Sequence, residues 1–537
     1  MMLRSLLAQT LASLALCGSL QAQLGRREAE WVTSGADAQR SHWISADTKI
    51  SRESLAKPGF QFLWKVKLNN EPVQLNSLTP AVLIDRYIGF RGFRSLALLG
   101  GSSNTIFAID TDLARMEWEH RLPLPSPPAG SAGCLGGLTS NIAREASAGY
   151  PPLEAVGGGL GGRSGPARSD VATPGEGAVT IAPALAAIAR SGARRQQRVR
   201  LPALVYLVAG DGMLHSLYIS NGMEAGPPLK FLPPNANAQG LIVLDGVAYA
   251  ASGNCNGGSR GVWALDLTSK QVSHWEPSTG TVAGSVGPAF GPDGTVYAAT
   301  SAGQVVALSA QDLNLMGSYT TGGQAFTSSP VILPYKGKTL VAAATQDGRI
   351  HLLDGASLGG PDHKTPVFIT PVYSSRGFTP GALATWQDLD GVRWVLAAAA
   401  AAPASGSGFS QADGAITNGA IAAWRVADRS GAITLEPGWL SQDMIAPLAP
   451  AIINGIVFAV SSGEFRSDSS LPVAERVRRS SPAILYALDG ATGTKLWDSG
   501  PTITSFVHSG GTSGEAGQLY LETYDQTLYA FGFPMEH

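Results

Sequence analysis

Short segments of alternating apolar and small residues recur along this chain, and each ends where turn-forming residues begin. The clearest one spans 485–497, where an apolar segment ends at Asp489, turns through 490–493 and resumes toward Trp497. Such a segment followed by residues that tolerate turn geometry is typical of a β-hairpin. The pattern therefore predicts a strand, a tight turn and a second strand.

Eight segments share the first half of this pattern. They are 106–110, 214–218, 262–266, 305–309, 350–354, 421–425, 485–489 and 528–532. Their commonest spacing, about 43–48 residues, is the length of one four-stranded propeller blade. Three of the intervals are longer, which predicts insertions within the repeats.

The residues between these segments predict three further strands in each repeat. A proline followed by small and apolar residues begins a first strand, since proline at a strand start costs no ladder hydrogen bond. It occurs at 80–82, 183–185, 288–290, 330–332, 380–382 and 450–452. A tryptophan marks the fourth strand at 118, 275, 439 and 497. Each repeat is thus predicted to be a four-stranded antiparallel unit, with strands A to D, that buries both faces when repeats pack radially.

The two ends of the chain predict how the ring closes. After 528–532 only 533–537 remain, which is too short for a fourth strand. Residues 60–68 alternate as a strand and carry Trp64, so we expect them to complete the last blade. The prediction is an all-β fold: one eight-bladed β-propeller of four-stranded antiparallel blades over 60–537, closed by an N-terminal strand.

The composition agrees with many short strands and excludes some partners. Charged residues make up 15% of the chain, while it contains 65 Gly and 34 Pro residues. The net charge of −2 provides no basic field, so we expect no nucleic-acid partner.

The N-terminus has the pattern of a secretory signal peptide. Arg4 precedes a short apolar segment, and cleavage is expected after Ala22, which makes 1–22 the signal peptide and 23–59 a lead-in segment. A lipid anchor at Cys17 is the less favoured alternative, because Leu16 stands where lipidation sites have a small residue. No later apolar run is long enough for a transmembrane segment. We expect a periplasmic or extracellular monomer.

The repeat resembles that of the quinoprotein-dehydrogenase-like (PQQ-like) propellers, often written AxDxxTGxxxW. Ala487, Asp489, Thr492, Gly493 and Trp497 match this motif in full. The lead-in over 31–54, which contains Gly-Ala-Asp-Ala-Gln-Arg-Ser at 35–41, also resembles that of the family. The resemblance covers nearly the whole chain after the signal peptide and implies that the motif residues brace the blades.

The resemblance implies two classes of function. The family includes alcohol dehydrogenases that hold pyrroloquinoline quinone (PQQ) and Ca²⁺ in the axial channel, and non-catalytic members such as the outer-membrane assembly lipoprotein propeller. The enzymes typically rest the quinone on a disulfide between adjacent cysteines, and this chain has no adjacent pair and no Cys-x-x-Cys-His haem motif. No catalytic, cofactor-binding or metal-ligating residue can be assigned by motif. The preferred hypothesis is a non-catalytic binding or scaffold module, with no cofactor assigned; the alternative is a PQQ- and Ca²⁺-dependent alcohol or sugar dehydrogenase.

Insertions concentrate on one predicted face of the ring. In a propeller the D–A and B–C connections lie on one face, here called the top face. A Gly/Pro-rich insertion at 123–177 is expected in a D–A connection, and B–C connections are enlarged at 252–261, 403–419 and 462–482. Because elaborated loops on a rigid scaffold often bind, we expect a protein, small-molecule or carbohydrate partner at the top face; neutral drift of the loops is the alternative.

Several individual residues can be interpreted within this ring. Cys134 and Cys255 both fall in predicted top-face loops, and we predict a disulfide between them; two separate thiols are the alternative. His215 and His351 occupy the same repeat position, which favours packing between blades over metal ligation. Arg476, Arg478 and Arg479 fall in the 462–482 insertion, and their interpretation is a solvated loop.

Overall fold

The computed structural model of this protein describes residues 30–57, 59–89, 92–123, 136–149, 203–253, 258–375, 377–401, 407–508 and 511–534. Its strands form eight separate small sheets, in which most neighbouring strands are consecutive in the chain and antiparallel. The prediction of an all-β, eight-bladed propeller is confirmed. No helix in these ranges is long and apolar enough to cross a membrane.

The strands of the lead-in and of the first half of the ring have the following bounds. The lead-in contains β1 (Trp43–Ile44) and the helix α1 (Arg52–Leu55), and β2 (Gln61–Lys67) follows it. Blade 1 contains β3 (Val82–Gly89), β4 (Gly92–Gly101), β5 (Thr105–Asp110) and β6 (Arg115–Arg121). The short strand β7 (Glu145–Ala146) pairs with the sheet of blade 3, and blade 2 contains β8 (Leu204–Val208), β9 (Met213–Tyr218) and β10 (Leu229–Lys230). Blade 3 contains β11 (Ala238–Leu244), β12 (Val247–Ser252), β13 (Gly261–Asp266) and β14 (Val272–Trp275). Blade 4 contains β15 (Ala289–Phe290), β16 (Val296–Ala299), β17 (Gln304–Leu308) and β18 (Leu315–Thr320).

The second half of the ring follows the same order. Blade 5 contains β19 (Val331–Tyr335), β20 (Lys338–Thr345), β21 (Arg349–Asp354) and β22 (Phe368–Ile369). Blade 6 contains β23 (Leu383–Gln387), β24 (Arg393–Ala400), β25 (Ser410–Gln411), β26 (Gly419–Arg429) and β27 (Ala432–Leu440). Blade 7 contains β28 (Ala451–Ile453), β29 (Ile456–Ser461), the helix α2 (Val473–Arg479), β30 (Ile484–Asp489) and β31 (Lys495–Asp498). Blade 8 contains β32 (Thr512–Glu515), β33 (Gln518–Glu522) and β34 (Thr527–Gly532). Short 3₁₀ helices occur at Gly360–Asp362 and Gly500–Thr502.

The ring closes through the N-terminal strand, as predicted. Strand β2 pairs antiparallel with β34, with Lys67 opposite Thr527 and Gln61 opposite Gly532. All eight repeat segments of the sequence are third strands of their blades. The first and last parts of the chain therefore share one sheet, which leaves no open seam between blades 8 and 1.

The inner position of blade 2 differs from the sequence prediction. Ala143 and Tyr206 exchange backbone hydrogen bonds of 2.9 and 2.8 Å, and β7 runs parallel to β11, the inner strand of blade 3. Inner strands of neighbouring blades run in the same direction, so the stretch around Ala143 fills the inner position of blade 2. The predicted D–A insertion at 123–177 thus includes part of the ring itself. The inner strand predicted at 183–185 lies outside the described residues.

Tryptophans of three outer strands join one blade to the next through a hydrogen bond. Trp118, Trp439 and Trp64 donate indole N–H hydrogen bonds of 2.8–3.0 Å to the carbonyl oxygens of Ile219, Gly490 and Thr111, respectively. Each acceptor lies where the third strand of the following blade enters its C–D turn. The same hydrogen bond therefore recurs at three blade junctions, including the junction that closes the ring.

The lead-in occupies the axis of the ring and touches the inner strand of every blade. The eight hydrogen bonds join Trp31 O to Leu83 N, Val32 O to Arg144 N, Thr33 Oγ1 to Leu241 O, Ala38 O to Phe290 N, Gln39 O to Ile332 N, Ser41 O to Thr385 N, His42 O to Ile452 N, and Trp31 N to Glu515 Oε2. We call residues 30–44 the axial segment. Since it contacts all eight blades, it closes the central channel from within.

Candidate functional site: the axial cavity

A cavity of about 910 Å³ lies on the ring axis, above the axial segment. Its wall consists of residues that begin the inner strands, together with residues of the B–C connections of blades 6 and 7. The residues that lead into the inner strands belong to D–A connections, and D–A and B–C connections both lie on the top face. Ser285 and Ile445 are exposed lining residues, so the cavity is open to solvent.

The axial segment forms the floor of this cavity. Trp31, Ser34, Gly35 and His42 line it from below. The Nδ1 atom of His42 lies 3.1 Å from the Arg40 carbonyl oxygen, and burial lowers the pKa of the imidazole to about 4. His42 is therefore neutral at physiological pH and acts as a structural part of the floor.

Arg40 holds the axial segment in place from beneath the floor. Its guanidinium is fully buried and donates hydrogen bonds of 2.7–2.9 Å to the carbonyl oxygens of Pro288, Ser34 and Gly240 and to Thr33 Oγ1. Burial lowers the pKa of this guanidinium to about 9. One side chain thus ties the axial segment to the inner edges of blades 3 and 4.

A second polar residue of the axial segment shapes its turn. Asp37 accepts hydrogen bonds from the backbone N–H of Ser41 at 3.0 Å and from its hydroxyl at 2.5 Å. Burial raises the pKa of Asp37 above its usual value, and the bonds from Ser41 and the charge of Arg40 oppose this rise. The Gly-to-Ser motif at 35–41 therefore contains a turn that the hydrogen bonds between Asp37 and Ser41 hold together.

Most of the cavity wall is uncharged, and small polar side chains are interspersed in it among Gly, Ala and larger apolar residues. Hydroxyl-bearing residues at the starts of the inner strands include Thr79, Thr139, Ser285, Thr379 and Thr512. Thr512 is 3% exposed, and its hydroxyl has no hydrogen-bond partner within the described ranges. The wall thus offers donors and acceptors from several blades at once.

Four side chains form one ionic cluster at the edge of the cavity. Glu464, which is 2% exposed, accepts from Arg466 Nε at 2.7 Å, from Arg476 Nη2 at 2.9 Å and pairs with His508 Nδ1 at 2.9 Å. Arg466 Nη2 also donates to the His508 carbonyl oxygen at 2.9 Å. Burial raises the pKa of Glu464, but the His508 bond and the Arg466 charge outweigh it and hold that pKa below its usual value. Glu464 is therefore a carboxylate enclosed by cationic partners.

The cluster corrects the interpretation of Arg476 as part of a solvated loop. Arg476 lies on α2, where its side chain is 17% exposed and bonds to a buried carboxylate. Arg478 and Arg479, on the same helix, bond to Glu475 and are more exposed, which agrees with a solvated face. The cluster could not be predicted from the sequence, because Glu464, Arg476 and His508 are far apart in the chain. Only the path of the 462–482 insertion brings them together.

The residues of the repeat motif lie away from the cavity, in the blades. The Asp489 carboxylate accepts hydrogen bonds from the backbone N–H groups of Ala491 and Thr492, and from the Thr492 hydroxyl at 2.9 Å, which fixes the C–D turn. Trp497 packs edge-on against Phe60 and Phe531. None of these side chains lines the cavity.

The structure describes the histidine pair that the sequence analysis singled out, but not the cysteine pair. His215 and His351 are buried in the blades, His215 against Glu224 at 2.6 Å and His351 against the Tyr319 hydroxyl at 2.7 Å. Burial lowers the pKa of His351 to about 4. Cys134 and Cys255 both lie outside the described residues.

The residues of the cavity wall do not match the needs of a quinone held with Ca²⁺. Within the ranges that the structure describes, no three His, Cys, Asp or Glu side chains come together in a way that could hold a metal ion. The carboxylate that lines the cavity, Glu464, already bonds to three cationic or imidazole partners. Calcium requires several oxygen ligands, so this donor set does not fit a PQQ–Ca²⁺ pair.

Comparison with solved structures identifies the same architecture in quinoprotein enzymes. The europium-containing methanol dehydrogenase superposes with a TM-score of 0.55 and 9% identity over 95% of this chain and 99% of that one. The quinohemoprotein alcohol dehydrogenase from Pseudomonas putida HK5 gives 0.54 and 11% over 95% and 81% of the two chains. That from Comamonas testosteroni gives 0.51 and 13% over 95% and 82%.

These likenesses establish the fold and leave the activity open. The chain has the PQQ-like propeller fold, as the repeat motif predicted. At identities of 9–13%, the shared feature is the backbone architecture. No protein-family model matches the sequence, and no curated protein matches it either.

Proposed function

We propose that this protein is a non-catalytic binding module of the periplasm or extracellular space, whose top-face cavity receives a small hydroxylated ligand. The observation that supports it is the cavity itself: about 910 Å³ on the ring axis, closed below by the axial segment and lined by short polar side chains. Ligand cavities in proteins span roughly 300–1,000 Å³. Hydroxyl groups from several inner strands suit a ligand that itself carries many hydroxyls.

The rigidity of the ring favours binding through preformed geometry. The lining residues sit at the ends of inner strands that the axial segment links across all eight blades. A site held this firmly loses little conformational freedom when a ligand binds, which improves affinity. The loops of the top face then determine which ligand enters.

The alternative is a PQQ- and Ca²⁺-dependent alcohol or sugar dehydrogenase. The likeness of the fold to methanol and alcohol dehydrogenases supports it. The lack of a fitting metal-ligand set among the described residues argues against it. We therefore rank it second.

Blocking the cavity tests the binding proposal. Ser285→Trp and Ala449→Trp place a large side chain in the cavity wall, whereas Ala356→Trp adds the same side chain to an exposed C–D turn of blade 5. We expect ligands found by thermal-shift screening of sugars, sugar acids and sugar phosphates to bind the wild type and Ala356→Trp. Equal binding by the two cavity variants would overturn the proposal.

Reconstitution tests the alternative directly. The protein is mixed with PQQ and Ca²⁺, and quinone absorbance and dye-linked oxidation of alcohols and sugars are followed. We expect neither stoichiometric quinone binding nor oxidation. Stoichiometric uptake with turnover would reverse the ranking of the two functions.

A further inference from the structure

We infer that the Glu464–Arg466–Arg476–His508 cluster is an anion-binding subsite, which takes a carboxylate or phosphate group of a hydroxylated small molecule in the axial cavity. This inference rests on the proposed binding function and adds the chemical class of the ligand. It assigns the charged group of that ligand to one corner of the cavity, at the insertion of blade 7.

The charge of the cavity wall is confined to this corner. Apart from His42, whose pKa is lowered to about 4, the charged or titratable residues that line the described cavity are Glu464, Arg466, Arg476 and His508. One carboxylate against two guanidiniums leaves a charge of +1 without counting His508. A single cationic corner in a wall of neutral residues attracts an anion to one defined place.

The cluster has donor capacity that Glu464 does not use. A guanidinium has five N–H groups. Arg476 uses Nη2 to reach Glu464, while its Nε is buried without a hydrogen-bond partner in the described part of the chain. Buried polar groups are usually satisfied, so such an orphaned donor at a cavity edge indicates a missing acceptor. An anionic oxygen is the acceptor that a guanidinium binds most strongly.

Glu464 positions the guanidiniums rather than neutralising the corner. Its two oxygens receive Arg466 and Arg476 separately, and His508 links the same carboxylate to the D–A connection of blade 8. The carboxylate therefore fixes both arginines at the cavity edge, where their side chains remain 28% and 17% exposed. A ligand anion would compete with Glu464 for these donors.

The neutral part of the wall indicates what accompanies the anion. The unpartnered Thr512 hydroxyl lies at the start of the inner strand of blade 8, close in sequence to His508, and further hydroxyls lie at the starts of other inner strands. Short hydroxyl side chains pair with ligand hydroxyls. The ligand class is therefore a sugar acid or a sugar phosphate.

The test uses isothermal titration of the full chain at low ionic strength with D-glucuronate, D-glucose 6-phosphate and D-glucose. We expect one or both anions to bind more tightly than glucose. Arg476→Met should weaken anion binding about tenfold or more, the loss of one charged hydrogen bond. Arg478→Met, on the same helix but paired with Glu475 on an exposed face, should leave it unchanged. The two anions distinguish a carboxylate from a phosphate ligand.

A second variant keeps the inference testable if Arg476→Met fails to fold. Glu464→Gln keeps the side-chain volume and one acceptor oxygen and removes the negative charge that competes with a ligand anion, so anion affinity should rise about threefold or more. An unchanged or lower anion affinity in this variant would contradict the inference.

The outcomes separate this inference from the binding proposal. Equal anion binding by Arg476→Met and Arg478→Met, or no anion binding by the wild type, overturns the inference. If Ser285→Trp abolishes ligand binding but Arg476→Met leaves anion binding intact, the anion subsite is overturned and the cavity is retained as a binding site.

Discussion

Trp439 and Gly490 join blades 6 and 7: the indole Nε1 of Trp439 donates a 2.9 Å hydrogen bond to the carbonyl oxygen of Gly490. Trp439 is 1% exposed, and its ring packs directly against Gly493. The motif glycine of one blade therefore contacts the tryptophan of the previous blade. The repeat motif thus acts across blade junctions as well as within a turn.

Replacing Gly493 by alanine should destabilise the ring. Gly493 has a φ of +75°, and a Cβ there would overlap the Trp439 ring. Gly322 has the same φ of +75° but nothing within 4 Å of its would-be Cβ. Gly322→Ala should cost only the left-handed backbone penalty of about 1–2 kcal/mol, and Gly493→Ala about 2 kcal/mol more because of the overlap. Chemical denaturation measures both; equal losses would show that the Trp439 contact is unimportant.

Arg40 should be the most sensitive residue of the axial segment. Arg40→Met removes a buried guanidinium and leaves the carbonyl oxygens of Pro288, Ser34 and Gly240 without their donor. We expect a loss of about 3–5 kcal/mol in the free energy of unfolding. The control is Arg52→Met, whose side chain is 66% exposed and pairs with Asp489, and which should cost less than about 1 kcal/mol. If both variants lost a similarly small amount of unfolding free energy, Arg40 would not be important for holding the axial segment to blades 3 and 4.

Stability should fall as pH rises from the acidic to the alkaline range, in part because of Glu522. Burial raises the pKa of Glu522 from 4.5 to about 8; its Oε1 accepts from Ala81 N at 3.0 Å, and its Oε2 has no partner within the described residues. The folded state therefore holds a proton that the unfolded chain releases above its pKa of 4.5. This contribution is fully present below that value and is lost as pH rises through about 8.

Glu522→Gln tests this assignment. The amide keeps the acceptor for Ala81 N and cannot ionise, so the variant should lose less stability than wild type between about pH 5 and pH 9, by about 1–3 kcal/mol. Burial also raises the pKa of Glu515 to about 8, so part of the slope should remain. Urea denaturation at several pH values gives the slopes, and identical slopes would exclude Glu522 as the titrating group.

Cys134 and Cys255 are proposed to form a disulfide. Residues 136–143 run from the neighbourhood of Cys134 into the inner position of blade 2, and Cys255 follows β12 in the B–C connection of blade 3. Thiol titration of denatured, unreduced mature protein should find no free thiol. Cys255→Ser should then lower the free energy of unfolding by roughly 2–4 kcal/mol. Two free thiols would rule the bridge out.

The ring could be predicted from the sequence alone. Its eight third strands, the tryptophans of the fourth strands and the closing strand at 60–68 were all predictable, because each depends on residues close together in the chain: alternation, turn residues and a regular spacing. Asp489 fixes a turn through backbone groups only two to three residues away, so its role could be predicted from the neighbouring sequence.

The residues that fill and line the axis could be identified only from the folded ring. Arg40 reaches Pro288 and Gly240, and Glu464 reaches His508, across sequence separations of 248, 200 and 44 residues. No local pattern encodes such contacts, because a closed ring brings every inner strand to the same axis regardless of its place in the chain. The repeat specified the blades; ring closure brought the axial segment and the cationic corner of the cavity together.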